Sequence, residues 1–330
     1  MKFRTFLAIL LVIPALLVTA GGGGEESSEA GGPARVALIL PGPIEDADFN
    51  YLGYQAMKDI EVQHGAETAY QERVTPADSE RVARAFIADG YDTVAFHGGQ
   101  FTTTLLKLAD QFPDNHFAIV TRAPIDGAPK NAWVIGRRWS AGFYAFGILA
   151  ARATDTDTIG VVAGIALPDW IEAINSIKKA AASIDSDISV LSTFTGDQND
   201  SVAARNATAA LVDAGADVII LLVNGGTFGS IQAVEGSDVK LISFYTDKQE
   251  LADDNMVGSL IFDFSHAYGS VVGNIIDGQS GGYHEMRPGS GMEMTALFNV
   301  SDEVAEEARM VFDDIASGKI VVPADLTPVE

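Results

Sequence analysis

Cysteine is absent from all 330 residues, which excludes disulfides and cysteine-ligated metals. Positive charge is scarce: 21 Lys and Arg stand against 45 Asp and Glu, a formal net charge of −24. The acids are spread along the chain rather than gathered in a tail. Such a surface repels phosphate and anionic lipid headgroups, so nucleic-acid binding is excluded as a function class. Dispersed charge does not focus a field, and we read it as a hydrated surface suited to saline surroundings rather than a ligand-steering cleft. Long apolar runs are missing beyond residues 6–18, so no later segment suggests a membrane span. Catalytic signatures are missing too. No G-x-G-x-x-G follows the first strand, no G-x-S-x-G sits between a strand and a helix, and the five histidines lack metal-ligand spacing. His97 alone falls near an expected cleft, where a single histidine is more often a hydrogen-bonding group than a catalyst. No cofactor is expected, and no enzyme activity.

What is present begins with the leader. Lys2 and Arg4 precede the apolar run, which ends in small residues at Thr19 and Ala20. This is the pattern of a secretory signal, expected over residues 1–20, followed by a Gly/Ser/Glu tether over 21–34. Export is expected, to the periplasm or the outer face of the cytoplasmic membrane. The stretch Leu17-Val18-Thr19-Ala20-Gly21-Gly22 resembles a lipoprotein box with glycine where the lipidated cysteine belongs. A freely secreted protein and a natural sequence with cysteine at that place both remain open.

From Arg35 onward, apolar β-branched runs alternate with helical patterns. Strands are expected at 36–40, 67–71, 93–96, 116–120 and 132–135, then at 158–162, 188–193, 218–222 and 239–244. Helices are expected near 49–64, 77–89, 102–111, 140–153, 169–184, 202–214 and 229–234. Near-continuous apolar strands indicate parallel sheets covered on both faces. The tail adds a strand at 257–262, a helix at 265–278, a glycine-rich loop, a strand at 294–300 and a helix at 302–317. These two units are too few for a third domain, but they fit a chain that crosses back to finish two earlier lobes. The expected fold is α/β and two-lobed: the class I periplasmic binding protein architecture, each lobe a parallel sheet flanked by helices, with three interlobe crossovers. Lobe 1 is expected to hold 35–154 plus about 255–282, and lobe 2 to hold 155–254 plus about 290–330.

The first β/α turn reads Ile44-Glu45-Asp46-Ala47-Asp48-Phe49-Asn50-Tyr51-Leu52-Gly53. Further pieces are Ala88-Asp89-Gly90-Tyr91-Asp92, Asn131-Ala132-Trp133-Val134, Gly142-Phe143-Tyr144-Ala145-Phe146-Gly147, Asn175, Asp213-Ala214-Gly215-Ala216-Asp217 and Gly225-Gly226-Thr227. In order and spacing this series resembles the basic membrane protein family of ABC-transporter substrate-binding proteins, which includes purine nucleoside receptors. The resemblance implies a small-molecule ligand held between two lobes by hinge motion, and an ABC permease with its ATPase as partners.

It also implies site residues. Phe49 matches one half of the family's aromatic sandwich around a base, although by itself it reads better as core at the helix start. Phe228, in the glycine-rich loop with Thr227, is the candidate for the opposing face. Asp48 and Asn50 flank Phe49 and either meet the ligand or cap the helix, and for Asp48 the cap is the better reading. Gln100 and Phe101 follow the third strand, where Thr102 is a helix-cap candidate, and Trp170 follows the first strand of the second lobe. Asp247 remains as a polar contact. Where purine nucleoside members hold ribose and base edge with acidic groups and a lysine, this chain has Leu40, Pro41, Ala166, Tyr245 and Phe262. Lost hydroxyl partners cost on the order of 1–3 kcal/mol each, so the aromatic ligand class is retained and ribonucleoside specificity is not. Tyr245 and Phe262 join the candidate wall. The expectation is a receptor for a heterocyclic, nucleoside-like ligand. The rivals are an extracellular nucleosidase or hydrolase on a similar fold, and a sensory binding protein.

Overall fold

The computed structural model describes residues 32–329, so the leader and most of the tether lie outside it. Among the described residues no helix is long and apolar enough to cross a membrane. Twelve strands form one curled sheet with two halves. The first half runs in the order β2 (Glu67–Gln71), β1 (Arg35–Ile39), β3 (Thr93–Phe96), β4 (His116–Thr121), β5 (Ala132–Arg137), β11 (Gly282–Pro288), with every pairing parallel. The second half continues through β12 (Gly291–Met294), β10 (Met256–Phe262), β9 (Lys240–Tyr245), β8 (Val218–Leu222), β6 (Thr158–Ala163) and β7 (Ser189–Phe194). Here only the β10–β12 pairing is antiparallel.

Burial follows from sequence. The inner strands β3, β5 and β8 are buried at every position, as parallel strands covered on both faces must be. The flanking helices are α1 (Phe49–His64), α2 (Pro76–Ala88), α3 (Thr102–Gln111) and α8 (Phe264–Ile276) on the first half. On the second lie α5 (Pro168–Ile184), α6 (Ser201–Asp213), α7 (Thr227–Val234) and α9 (Asp302–Ala316). Between them runs α4 (Trp139–Ala153), buried everywhere except Tyr144 and Arg152, since a helix apolar all round finds no solvent face. Gly147 lets α4 approach α5: a Cβ there would lie 2.7 Å from that of Ala180.

The chain steps between halves after β5, after β10 and after β11. The tail corrects the expected layout. Residues 257–262 were expected to finish the first lobe, yet β10 pairs with β9 in the second half. It is α8, packed on α1, and then β11 that return to the first half. Residues 295–300, expected as a strand, form none; the tail strands are β11 and β12, which precede them and lie in or at the edge of the stretch read as a glycine-rich loop. Gly281 and Gly282 permit this, because a Cβ at Gly281 would meet backbone oxygens of Lys130 and Ala132 at 2.5 Å. Glycine marks close strand approach here, not a loop.

Candidate functional site

A cavity of about 500 Å³ lies where the carboxyl ends of strands from both halves converge, the usual ligand position in doubly wound sheets. Pro41 follows β1, Gly98 to Gln100 follow β3, and Arg137 and Trp139 end β5 and open α4. The second half supplies Leu167, Asp169 and Trp170 after β6, Gln198 after β7, Asn224 after β8 and Tyr245 at the end of β9. Phe49, first residue of α1, completes the wall.

Four aromatic rings shape it. Phe49 stacks on His97 at 4.0 Å between ring centres and 24°, and stands edge-on to Phe264. Tyr245 lies 5.8 Å from Phe49. Trp139 and Trp170 meet edge to face at 4.8 Å. With the amide of Gln198 oriented by its neighbours, the Trp170 indole donates to its oxygen at 2.6 Å. Tyr245 holds φ at 68°, sparsely populated for a side-chain-bearing residue, and burial keeps its hydroxyl well above the ordinary tyrosine range.

Charge in the wall is internally matched. Arg137 Nη2 donates to Asp169 Oδ1 at 2.9 Å, Nη1 to the Tyr245 hydroxyl at 3.0 Å, and Nε to the Thr121 carbonyl at 3.3 Å. The guanidinium also sits 5.3 Å from the Phe49 ring and 5.0 Å from Trp139. This pair joins the two halves, as do two others. Lys248 Nζ donates to Asp48 Oδ1 at 2.7 Å, with both side chains buried, and Arg122 Nη1 donates to the buried Glu172 at 2.9 Å. Burial pushes the Asp48 carboxyl above its usual range, opposed by Lys248.

Several residues read from the sequence have other places. Asp48 lies outside the cavity wall and does not cap α1. Asp46 does so instead, accepting from the backbone N–H of Asp48, Asn50 and Tyr51 at 2.9–3.1 Å. Asn50 is spent on the same turn, accepting from Gly42 N and donating to Asp46. Phe101 is fully buried in the core against Phe96, because its strand-to-helix turn points it inward. Thr102 donates to Gly99 O rather than capping its helix. Thr227 donates to Val223 O beneath the cavity loop, and Phe228 is 48% exposed outside the wall. The aromatic face on the second half comes from Trp170 and Tyr245 instead. Asp247 accepts from Gln249 N in its own turn. Phe262 is buried behind the wall, 4.9 Å from Trp139. Of the sequence candidates, Phe49, Gln100, Trp170 and Tyr245 meet at the cavity.

Arg137, Trp139, Leu167, Asp169, Gln198 and Asn224 were missed. Each follows a strand at its carboxyl end, and that positional rule, applied to every strand, would have found them. His97 is wholly buried behind Phe49. Its Nε2 donates to the Phe49 carbonyl at 2.7 Å and its Nδ1 accepts from the Tyr268 hydroxyl at 3.0 Å. Burial pushes it down to about 3, so it is neutral at physiological pH, and it is not part of the cavity wall. The titratable side chains of the wall are Arg137, Asp169 and Tyr245, and Arg137 hydrogen-bonds to both of the others.

Comparison with known proteins fits this geometry. A family model described as ABC transporter substrate-binding protein PnrA-like matches residues 34–325. The chain belongs to the Bmp family. A purine-binding protein of Brucella abortus is 24% identical over 292 residues, covering 87% of this chain and 82% of that protein. A Haloferax volcanii protein provisionally named as the ABC transporter glucose-binding protein TsgA13 is 24% identical over 303 residues, covering 89% and 76%. The solved structure of an ABC transporter solute-binding protein from Conexibacter woesei shares the fold at a TM-score of 0.72, with 23% identity over 88% of this chain and 99% of that one. This Bmp chain thus has the mostly parallel two-lobed architecture of periplasmic solute-binding proteins.

Proposed function

We propose that this Bmp protein is exported, captures a small molecule carrying an aromatic heterocycle between its two halves, and delivers it to the permease and ATPase of an ABC importer. The observation that carries the reading is the wall: Phe49, Trp139, Trp170 and Tyr245, drawn from both halves, line one cavity of about 500 Å³. Rings stack on rings at low entropic cost, whereas a sugar needs a partner for each hydroxyl. Most polar groups of this wall are already engaged with each other. Closure brings the halves together, and the closed form is what the permease meets. Isothermal titration against nucleobases, nucleosides and glucose tests the reading. The expected result is saturable micromolar or tighter binding of a ring compound, recovered chemically unchanged, and weakened at least tenfold by Phe49→Ala. Binding of glucose but of no ring compound would overturn it.

A further inference from the structure

We infer that Glu172, a buried residue outside the cavity wall, is a positioning residue for closure of the two halves. One of its carboxylate oxygens holds the start of the crossover helix α4, and Arg122 of the first half reaches the other. This rests on the hinge closure proposed above, not on the class of ligand.

One stripe of α5 grips the first crossover. Asp169, Glu172 and Ser176 fall at i, i+3 and i+7, on one face of that helix. Asp169 accepts from Arg137. Glu172 Oε1 accepts from the Ser140 backbone N–H at 2.9 Å, and Ser176 Oγ donates to the Ser140 carbonyl at 2.7 Å. Helix α4 has no such acceptor of its own. Its N-cap residue, Arg138, makes no side-chain cap, its first turn carries no acid, and the Arg138 guanidinium donates to Glu285. Glu172 therefore supplies from α5 both the acceptor and the negative charge that a helix N-terminus favours. Trp139, the residue before Ser140, lines the cavity, so this grip places a wall residue.

The second oxygen serves closure. Glu172 Oε2 accepts from Arg122 Nη1 at 2.9 Å, and Arg122 follows β4 in the first half. Ser140 is bound to α5 through both its N–H and its carbonyl, so it travels with Glu172 when the halves part, whereas Arg122 leaves. The two members of the pair are also unequal. Glu172 is 1% exposed, with Arg122 its one ion-pair partner among the described residues, while Arg122 is 27% exposed and meets water. Without Arg122, the closed arrangement holds a buried carboxylate with no cation, and parting the halves lets water reach it. The closed form thus depends on Arg122 through Glu172, although neither side chain lines the cavity.

The test measures the distance between the halves by double electron–electron resonance. The chain has no cysteine, so Tyr51→Cys and Val202→Cys, exposed in the first turns of α1 and α6, take a spin label each. Arg122→Met should raise the ratio of long to short distances about tenfold. Adding Glu172→Gln, which keeps an acceptor for Ser140 and removes the stranded charge, should return the ratio to within about threefold of the wild type. Arg122→Lys, which keeps a cation, should lie between the wild type and Arg122→Met. A purely structural role for Arg122 predicts no rescue by Glu172→Gln. An Arg122→Met ratio equal to that of the wild type, or a double variant no closer to it than the single, would overturn the inference while leaving hinge closure intact. One unchanging distance in every form, with and without hypoxanthine or inosine, would overturn closure and the inference together. Should Arg122→Met fail to fold, Arg122→Gln takes its place with the same thresholds.

Discussion

Lys248→Met provides a demanding test of the buried pair that joins the halves. Lys248 Nζ lies 2.7 Å from Asp48 Oδ1, and both side chains are almost fully buried. At that separation an effective dielectric constant near 20 gives a gross attraction of about 6 kcal/mol. Desolvation of two ions offsets most of it, so the pair itself contributes little net stability. Removing one partner is different. Asp48 would keep only the Thr246 hydroxyl at 3.0 Å, and an uncompensated buried carboxylate costs on the order of 3–5 kcal/mol. The pH dependence has a definite sign. Burial already raises the Asp48 carboxyl, and Lys248 is the largest influence lowering it. Without Lys248 the folded state holds the Asp48 proton more tightly than the unfolded chain does. Stability is then recovered at low pH and lost as pH rises through the folded carboxyl's range, at up to about 1.4 kcal/mol per pH unit. Asp48→Asn in the Lys248→Met background should restore most of the loss at pH 7, since no charge is left stranded. Urea unfolding followed by tryptophan fluorescence at pH 5 and pH 7 measures the wild type, the single variant and the double variant. A Lys248→Met cost below 1 kcal/mol at pH 7, or a double variant no better than the single, would refute the argument.

Two further outcomes follow from the same contacts. Asp46→Ala removes the acceptor of three backbone N–H groups at the start of α1 and should cost about 1–2 kcal/mol, read as a shift in urea midpoint. Asp48→Ala at that turn would remove no cap. His97 is pushed down to about 3 against an ordinary 6.5, so its contribution to stability is full above the unfolded value and is lost as pH falls from about 6.5 toward 3. A His97 ring signal that titrates near 6.5 in the NMR spectrum of the folded protein would contradict its burial between Phe49 and Tyr268.

Most of the β/α alternation was legible because parallel strands leave long apolar runs and helices leave a 3.6-residue stripe. Legibility ended where backbone geometry, not side-chain pattern, decides pairing. Gly281 and Gly282 look like loop residues, yet their missing Cβ atoms let β11 lie against β5. The strand at β10 reads equally well in either half, since nothing in Met256–Phe262 names its neighbour. At the candidate site, Phe49 was read from the family resemblance and Trp170 from its place after a strand, and both line the cavity. Phe228 and Phe101 also follow strands and were misplaced. Burial of Phe101 and exposure of Phe228 depend on the direction in which each turn leaves its strand.

The sequence by itself determined the fold class, the acidic surface, the absence of disulfide or thiolate chemistry, and the strand ends at which a ligand site must form. Those follow from periodicity and composition, which act locally. Only the tertiary structure decided which carboxylate caps α1, that Asp48 answers Lys248 across 200 positions of chain, and that Arg137 is neutralised by Asp169. Such matches are between residues that the two halves of the sheet bring together from distant parts of the chain, and no local pattern records which partner a buried group will meet.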